Sequence, residues 1–336
     1  MRHSFELLTL AAGAGALALL CWRFGLADLS AALARVSPRL LLTYAGFGVA
    51  ARLGYAFRWQ LIARTIGDTP GVSRFFGARL AGDASASLLP TGRISGDPLR
   101  AALVYGDGVS GTQAGAGVAI DRIIEVTSNM LCGVAYLTVF SLARADAGER
   151  ALRVMLTTMG VLLVALVVPL AMLQRGLRPL SPLYRLTRNR SSPRWVAWTG
   201  ALQRTEAHVM RFFQQHPAVF MQGLAASFVI EGLIICEYHF LLKAFGVLLD
   251  LPALLLTMVA SGLSRAVPTP AGLGALEAGQ VTAVGVATGQ LSLGFVVGFV
   301  LRLHETLWTG IGVLALSFYG AGLARVRGVL SGSRPG

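Results

Sequence analysis

The chain has 336 residues, 54% of them hydrophobic and only 13% charged, whereas soluble domains carry about a quarter charged residues, so a water-soluble globular protein is excluded. Mean hydropathy is +0.65, and apolar runs near the ~20-residue spanning length recur throughout. The net charge of +13 is almost all arginine set between apolar runs, which fits membrane topology and anionic head groups and argues against nucleic acid.

Residues 4–22 form the first apolar run, behind Arg2 and His3. No small-x-small cleavage site follows promptly, so the run reads as a retained helix rather than a cleaved signal peptide. A second span covers about 40–62, and Arg52, Arg58 and Arg64 read as its basic far end. Residues 75–89, with Arg79 and Asp83 inside, are too short and polar to cross alone. Pro90 and Gly92 end this segment, and Pro98 can open the next one, which predicts a re-entrant hairpin or an interrupted helix.

Residues 114–143 form a long span holding Asp121, Arg122 and Glu125, and 154–173 form another. The 174–217 loop is the most basic. In it Trp195, Trp198, Leu202, Val209, Phe212 and Phe213 recur at helical spacing opposite Arg204, His208 and Arg211. That pattern predicts a helix lying in the membrane interface, or a solvated linker helix. A span at 218–246 carries Glu231, Glu237 and His239, and 251–267 leads into Pro268, Pro270, Gly272, Gly274 and Glu277. Segments at 281–300 and 303–324 follow, then a basic tail of Arg325, Arg327 and Arg334. The expected organisation is a membrane half at 1–173, a basic cytoplasmic loop at 174–217 and a second membrane half at 218–336. The positive-inside rule puts that loop and both termini in the cytoplasm.

The two halves match. Pro90, Gly92, Gly96 and Asp97 correspond to Pro268, Gly272, Gly274 and Glu277, and Arg122-Ile-Ile-Glu125 corresponds to Arg302-Leu-His-Glu305. Both R-x-x-E units are expected to open a long apolar helix, in opposite directions across the membrane. The fold class is therefore all-α and polytopic, with two inverted repeats containing broken or re-entrant helices.

Helix breakers beside charges at membrane depth are costly unless they line a cavity or are covered by protein. Arg93, Arg100, Arg122 and Arg302 are the candidate phosphate ligands, because the planar guanidinium donates two parallel hydrogen bonds. Asp97 and Glu277 are the matched carboxylates, and Asp121, Glu125 and Glu305 complete the candidate substrate-binding set. Asp97 with Arg100, Arg122 with Glu125, and Arg302 with Glu305 are each three apart and fit local pairs equally well. Glu277 has no obvious local partner. Glu231 and Glu237 fit mutual neutralisation by Lys243 and His239 as well as they fit a substrate role. Pro90, Gly92, Gly96, Pro268, Pro270, Gly272 and Gly274 fit either a broken-helix site or ordinary kinks.

Cys21, Cys132 and Cys236 sit in apolar segments without metal-ligand spacing, and no phosphate-binding loop of the G-x-x-x-x-G-K-[ST] type occurs. No metal, cofactor or catalytic residue is expected.

The stretch L-P-T-G-x-x-S-G-D-P-x-R at Leu89–Arg100, the Asp121-Arg122 pair and P-x-P-x-G-L-G-x-x-E at Pro268–Glu277 resemble the flippase-like membrane domain of lysylphosphatidylglycerol synthases. Where that family commonly has G-G-D, this chain has Ser95-Gly96-Asp97. The resemblance covers nearly the whole chain and is to stand-alone members, a subgroup of which is associated with hopanoids. It implies a multi-pass protein of a bacterial inner membrane that moves a lipid between leaflets without hydrolysing ATP. The implied partners are membrane lipids, anionic or lipid-linked. Homo-oligomerisation and association with lipid-synthesis enzymes are both compatible with it. A membrane enzyme using Asp97 or Glu277 as acid or base, and a non-catalytic scaffold of a lipid or hopanoid pathway, are the alternatives.

Overall fold

The computed structural model describes residues 36–67, 69–88, 96–104, 110–144, 149–177, 193–264, 267 and 274–318. The first apolar run, the C-terminal tail, Pro90, Gly92, Arg93, Pro268, Pro270 and Gly272 lie outside these residues.

The described residues are helical, without strands, in the order α1 (Pro38–Ala63), α2 (Val72–Leu88), α3 (Gly96–Val104), α4 (Gly111–Ala143), α5 (Glu149–Gln174), α6 (Pro193–Gln215), α7 (Pro217–Ala244), α8 (Leu251–Ser264), α9 (Ala275–Thr288) and α10 (Leu291–Phe318). Four of them, α1, α4, α7 and α10, are long and apolar enough to cross a membrane. Large apolar side chains such as Leu42, Val164, Val229 and Leu314 are exposed on their outer faces or on α5, the pattern of a surface solvated by lipid.

Local chemistry sets the helix ends. Pro38 and Pro217 stand in the first turns of α1 and α7, where their fixed φ suits the helix and their missing N–H is no loss. Ser110 and Gln113 form a reciprocal capping box at the start of α4. Gly289, at φ 75°, closes α9 in the left-handed region that favours glycine. That break splits the expected 281–300 segment, and the helix of the last span begins at Leu291 rather than near 303. Arg302 consequently lies in the interior of α10, and Arg122 likewise lies in the interior of α4, which starts at Gly111, so neither opens its helix.

A unit of one long helix, two short ones and a second long helix occurs twice, as α1–α4 and α7–α10. Its members lie 180 positions apart: Asp97 and Glu277, Arg122 and Arg302, Glu125 and Glu305. α1 packs along α7, one long helix from each unit. The units also trade neighbours, since α2 packs on α10 and α8 packs on α4. A Cβ on Gly312 of α10 would collide with the Leu80 carbonyl and the Ala84 side chain of α2, so the backbones meet closely there.

The apolar face of α6 is not wholly left for lipid. Its Val209, Phe212 and Phe213 are buried with Ile62 of α1, Ile120 and Ile124 of α4 and Leu173 of α5.

Candidate functional site

The first unit holds a dry ionic cluster. Asp121, fully buried in α4, accepts from Arg58 Nε of α1 at 2.8 Å, Arg79 Nη1 of α2 at 3.1 Å and Arg100 Nη2 of α3 at 2.7 Å. Glu125, one helical turn on, accepts from Arg79 Nη2 at 2.8 Å and Arg122 Nη1 at 3.0 Å. Arg122 also grips Asp97 with both Nε (3.2 Å) and Nη2 (2.8 Å), and Arg100 reaches Asp97 at 3.3 Å. Arg79 and Arg100 lie over the rings of Tyr55 and Trp59, at 4.1 and 4.5 Å. Removing the Arg58, Arg79 and Arg100 guanidinium groups from water is tolerable only because each meets carboxylates in hydrogen-bonding geometry.

The second unit repeats the outer part of this chain. Arg302 grips Glu277 with Nε (2.8 Å) and Nη2 (3.1 Å), and its Nη1 reaches Glu305 at 3.3 Å. Glu277 also accepts from the Gly274 N–H at 3.0 Å, so it caps α9 and is not without a partner, as its sequence surroundings suggest. Both bidentate pairs tie the first turn of a short helix to the interior of a long one.

Glu237 of α7 receives Arg52 Nη1 of α1 at 2.9 Å and Trp308 Nε1 of α10 at 3.1 Å. Glu231 accepts from the Tyr136 hydroxyl at 2.9 Å. The glutamates of α7 thus find partners on other helices.

Between the two units lies a cavity of about 540 Å³. Its walls come from α1, α2, α4, α5, α7, α8 and α10. Polar groups such as Arg52, Asp83, Glu125, Glu231, Glu237 and Glu305 share them with apolar side chains including Leu80, Met130, Leu137, Ile234 and Leu263. This mixture suits a molecule with a charged end and an apolar body.

The candidates from sequence are distributed unevenly around this cavity. Glu125 and Glu305 reach it, one from each repeat. Asp97, Arg122, Glu277 and Arg302 stand behind them, in the ion pairs that hold those two glutamates. Arg100 is locked in the dry cluster and is no free phosphate ligand, and Asp121 is likewise enclosed. Gly96 sits against Gly82, where a Cβ on it would strike the facing backbone.

Arg52 and Arg58 require a correction. They are not a basic end projecting toward water: Arg58 is fully buried and Arg52 is paired across the bundle. Their position within an apolar run, rather than beyond it, was the available signal. The cavity's Tyr55, Tyr136, His304 and Trp308 left no periodic mark in the sequence.

A family model described as the lysylphosphatidylglycerol synthase TM region matches residues 7–303. Comparison with curated proteins gave no match, and neither did comparison with solved structures.

Proposed function

This chain belongs to the lysylphosphatidylglycerol synthase transmembrane-region family, and on that premise we propose that it moves a polar-headed lipid, such as a phospholipid, between membrane leaflets. The observation that carries this reading is the mixed polar and apolar cavity between the two repeated units. A lipid crossing a bilayer must keep its head group solvated by protein while its tails stay in oil. Glu125, Glu231, Glu237, Glu305 and Arg52 can supply the former, and the exposed apolar faces of the long helices leave the tails in lipid.

We take the two units as inverted repeats that rock about the cavity, a reading supported by the exchange of short helices between them. The carboxylates around the cavity are tied to guanidinium, phenol or indole groups. Such contacts hold and release a head group without converting it, so the protein is read as a transporter and not an enzyme. We read it as a protein of a bacterial inner membrane, as the family suggests, with both termini in the cytoplasm, a reading supported for the C-terminus by the arginine-rich 174–217 segment and tail.

The test is reconstitution into liposomes with fluorescent phosphatidylglycerol and phosphatidylethanolamine, scoring leaflet exchange by quenching from outside. Wild type should exceed protein-free liposomes, and Glu305→Gln should be slower by about tenfold, the equivalent of ~1.4 kcal/mol on the barrier. Exchange equal to protein-free liposomes for every lipid would overturn the reading.

A further inference from the structure

His304 is buried in α10 and lines the cavity. Its Nδ1 lies 3.1 Å from the Tyr44 hydroxyl and 3.7 Å from Glu237 Oε1. The rings of Tyr44 and Tyr238 meet it edge-on, at 5.8 and 5.4 Å between centroids. Glu237 is the same carboxylate that holds Arg52, and the Arg52 guanidinium lies 3.6 Å above the Trp308 ring. Arg52, Glu237, His304 and Trp308 all face the cavity. An imidazole inside a membrane-spanning helix, set between a phenol and a carboxylate, has two distinct ways to bond.

Resting on the transporter reading, we propose that His304 is a proton-binding site that decides whether Arg52 is held by Glu237 or offered to a lipid phosphate. With the imidazole neutral at Nδ1, the Tyr44 hydroxyl donates to that nitrogen, and Glu237 keeps Arg52 and Trp308. When a proton from water adds to Nδ1, a new N–H bond forms and the Tyr44 oxygen turns to accept or moves aside. The imidazolium then faces Glu237, which has two cations competing for it. The hold on Arg52 weakens and its guanidinium can swing into the cavity, where its fork suits a phosphate. The added positive charge is matched by the incoming phosphate, so proton uptake and head-group binding favour one another.

The groups that set this balance come from every side. They are Tyr44 and Arg52 of α1, Glu231, Glu237 and Tyr238 of α7, and Glu305 and Trp308 of α10. Across the cavity stand Arg79 and Asp83 of α2 and Glu125 of α4. Arg79 is engaged by Asp121 and Glu125, which leaves Arg52 as the cavity guanidinium governed by His304.

Two measurements test this. In liposomes, exchange of fluorescent phosphatidylglycerol by wild type should rise about fivefold or more between pH about 8 and about 5.5, values that bracket the ordinary imidazole pKa of about 6.5. In detergent, phosphatidylglycerol should bind correspondingly tighter at the lower pH, and binding should take up protons from a weakly buffered solution. His304→Gln should remove the pH response in both assays, while His239→Gln, at a ring that meets Phe240 edge-on away from the cavity, should keep it. Tyr44→Phe, which keeps the ring but not the hydroxyl, should shift the pH midpoint. Wild-type exchange that is present but flat with pH, or pH-independent binding, overturns the proton site and leaves the transporter reading standing. Absent exchange with pH-linked binding does the reverse. A His304→Gln protein with a wild-type pH response also overturns the proposal.

Discussion

The two repeated units share a scaffold but differ at its centre. In the first, Asp121, Arg58, Arg79 and Arg100 converge in one dry cluster. In the second, the residues 180 positions on are Leu301, Tyr238, Val259 and Gln280, and all four are apolar or uncharged. Gln280 is fully buried and donates to the Thr257 carbonyl and the Ser261 hydroxyl, a neutral counterpart of Arg100. Only the outer chain of carboxylate, arginine and glutamate survives in both. A buried ionic centre and an uncharged one can therefore occupy corresponding positions of the two units, as expected when desolvation nearly cancels Coulomb attraction. The cavity touches both kinds of position: Glu125 and Glu305 of the repeated chain line it, and so do Arg79, Tyr238 and Val259, where the units differ.

The sharpest way to break this comparison is to remove one partner from the dry cluster. Asp121→Asn takes one carboxylate charge from three buried guanidinium groups and should destabilise by about 3–5 kcal/mol, measured by titration with a denaturing detergent. Importing the second unit's residues instead, Asp121→Leu with Arg100→Gln, should cost less than Asp121→Leu alone, because it withdraws a cation together with the anion. Gly312→Leu should force α10 off α2 and destabilise by about 1–3 kcal/mol in the same assay. Arg302→Lys and Arg122→Lys each lose a two-pronged bond, worth about 1 kcal/mol. The loss should be greater for Arg302, since the Glu277 side chain is 1% exposed and that of Asp97 is 22%. Least of all, Arg144→Ala removes an exposed bridge to Asp250, and its effect should stay below about 0.5 kcal/mol.

The outer chains were legible because they are regular in sequence. Asp97–Arg122 and Glu277–Arg302 share one spacing, and arginine within an apolar helix is rare enough to stand out. The dry cluster was not, because Arg58 lies near the end of a span, where a topology signal and a buried ligand look alike. Gly289 hid a helix boundary inside an unbroken apolar run. The cavity wall was least legible. Tyr44 and His304 are 260 positions apart, and only the packing of α1, α7 and α10 brings them together. The long helices followed from composition, whereas the partners of their polar residues depended on the tertiary arrangement.

The exchange of short helices has a consequence for how the protein is made. When α2 leaves the ribosome, the helix that will cover it, α10, has not yet been synthesised. The same holds in part for α4, which waits for α8. Neither half is a finished object by itself, so the nascent first half must sit in the bilayer with unclothed backbone and clustered charges until its sibling arrives. Cutting the gene between α5 and α7 should yield two fragments that persist together and are degraded apart.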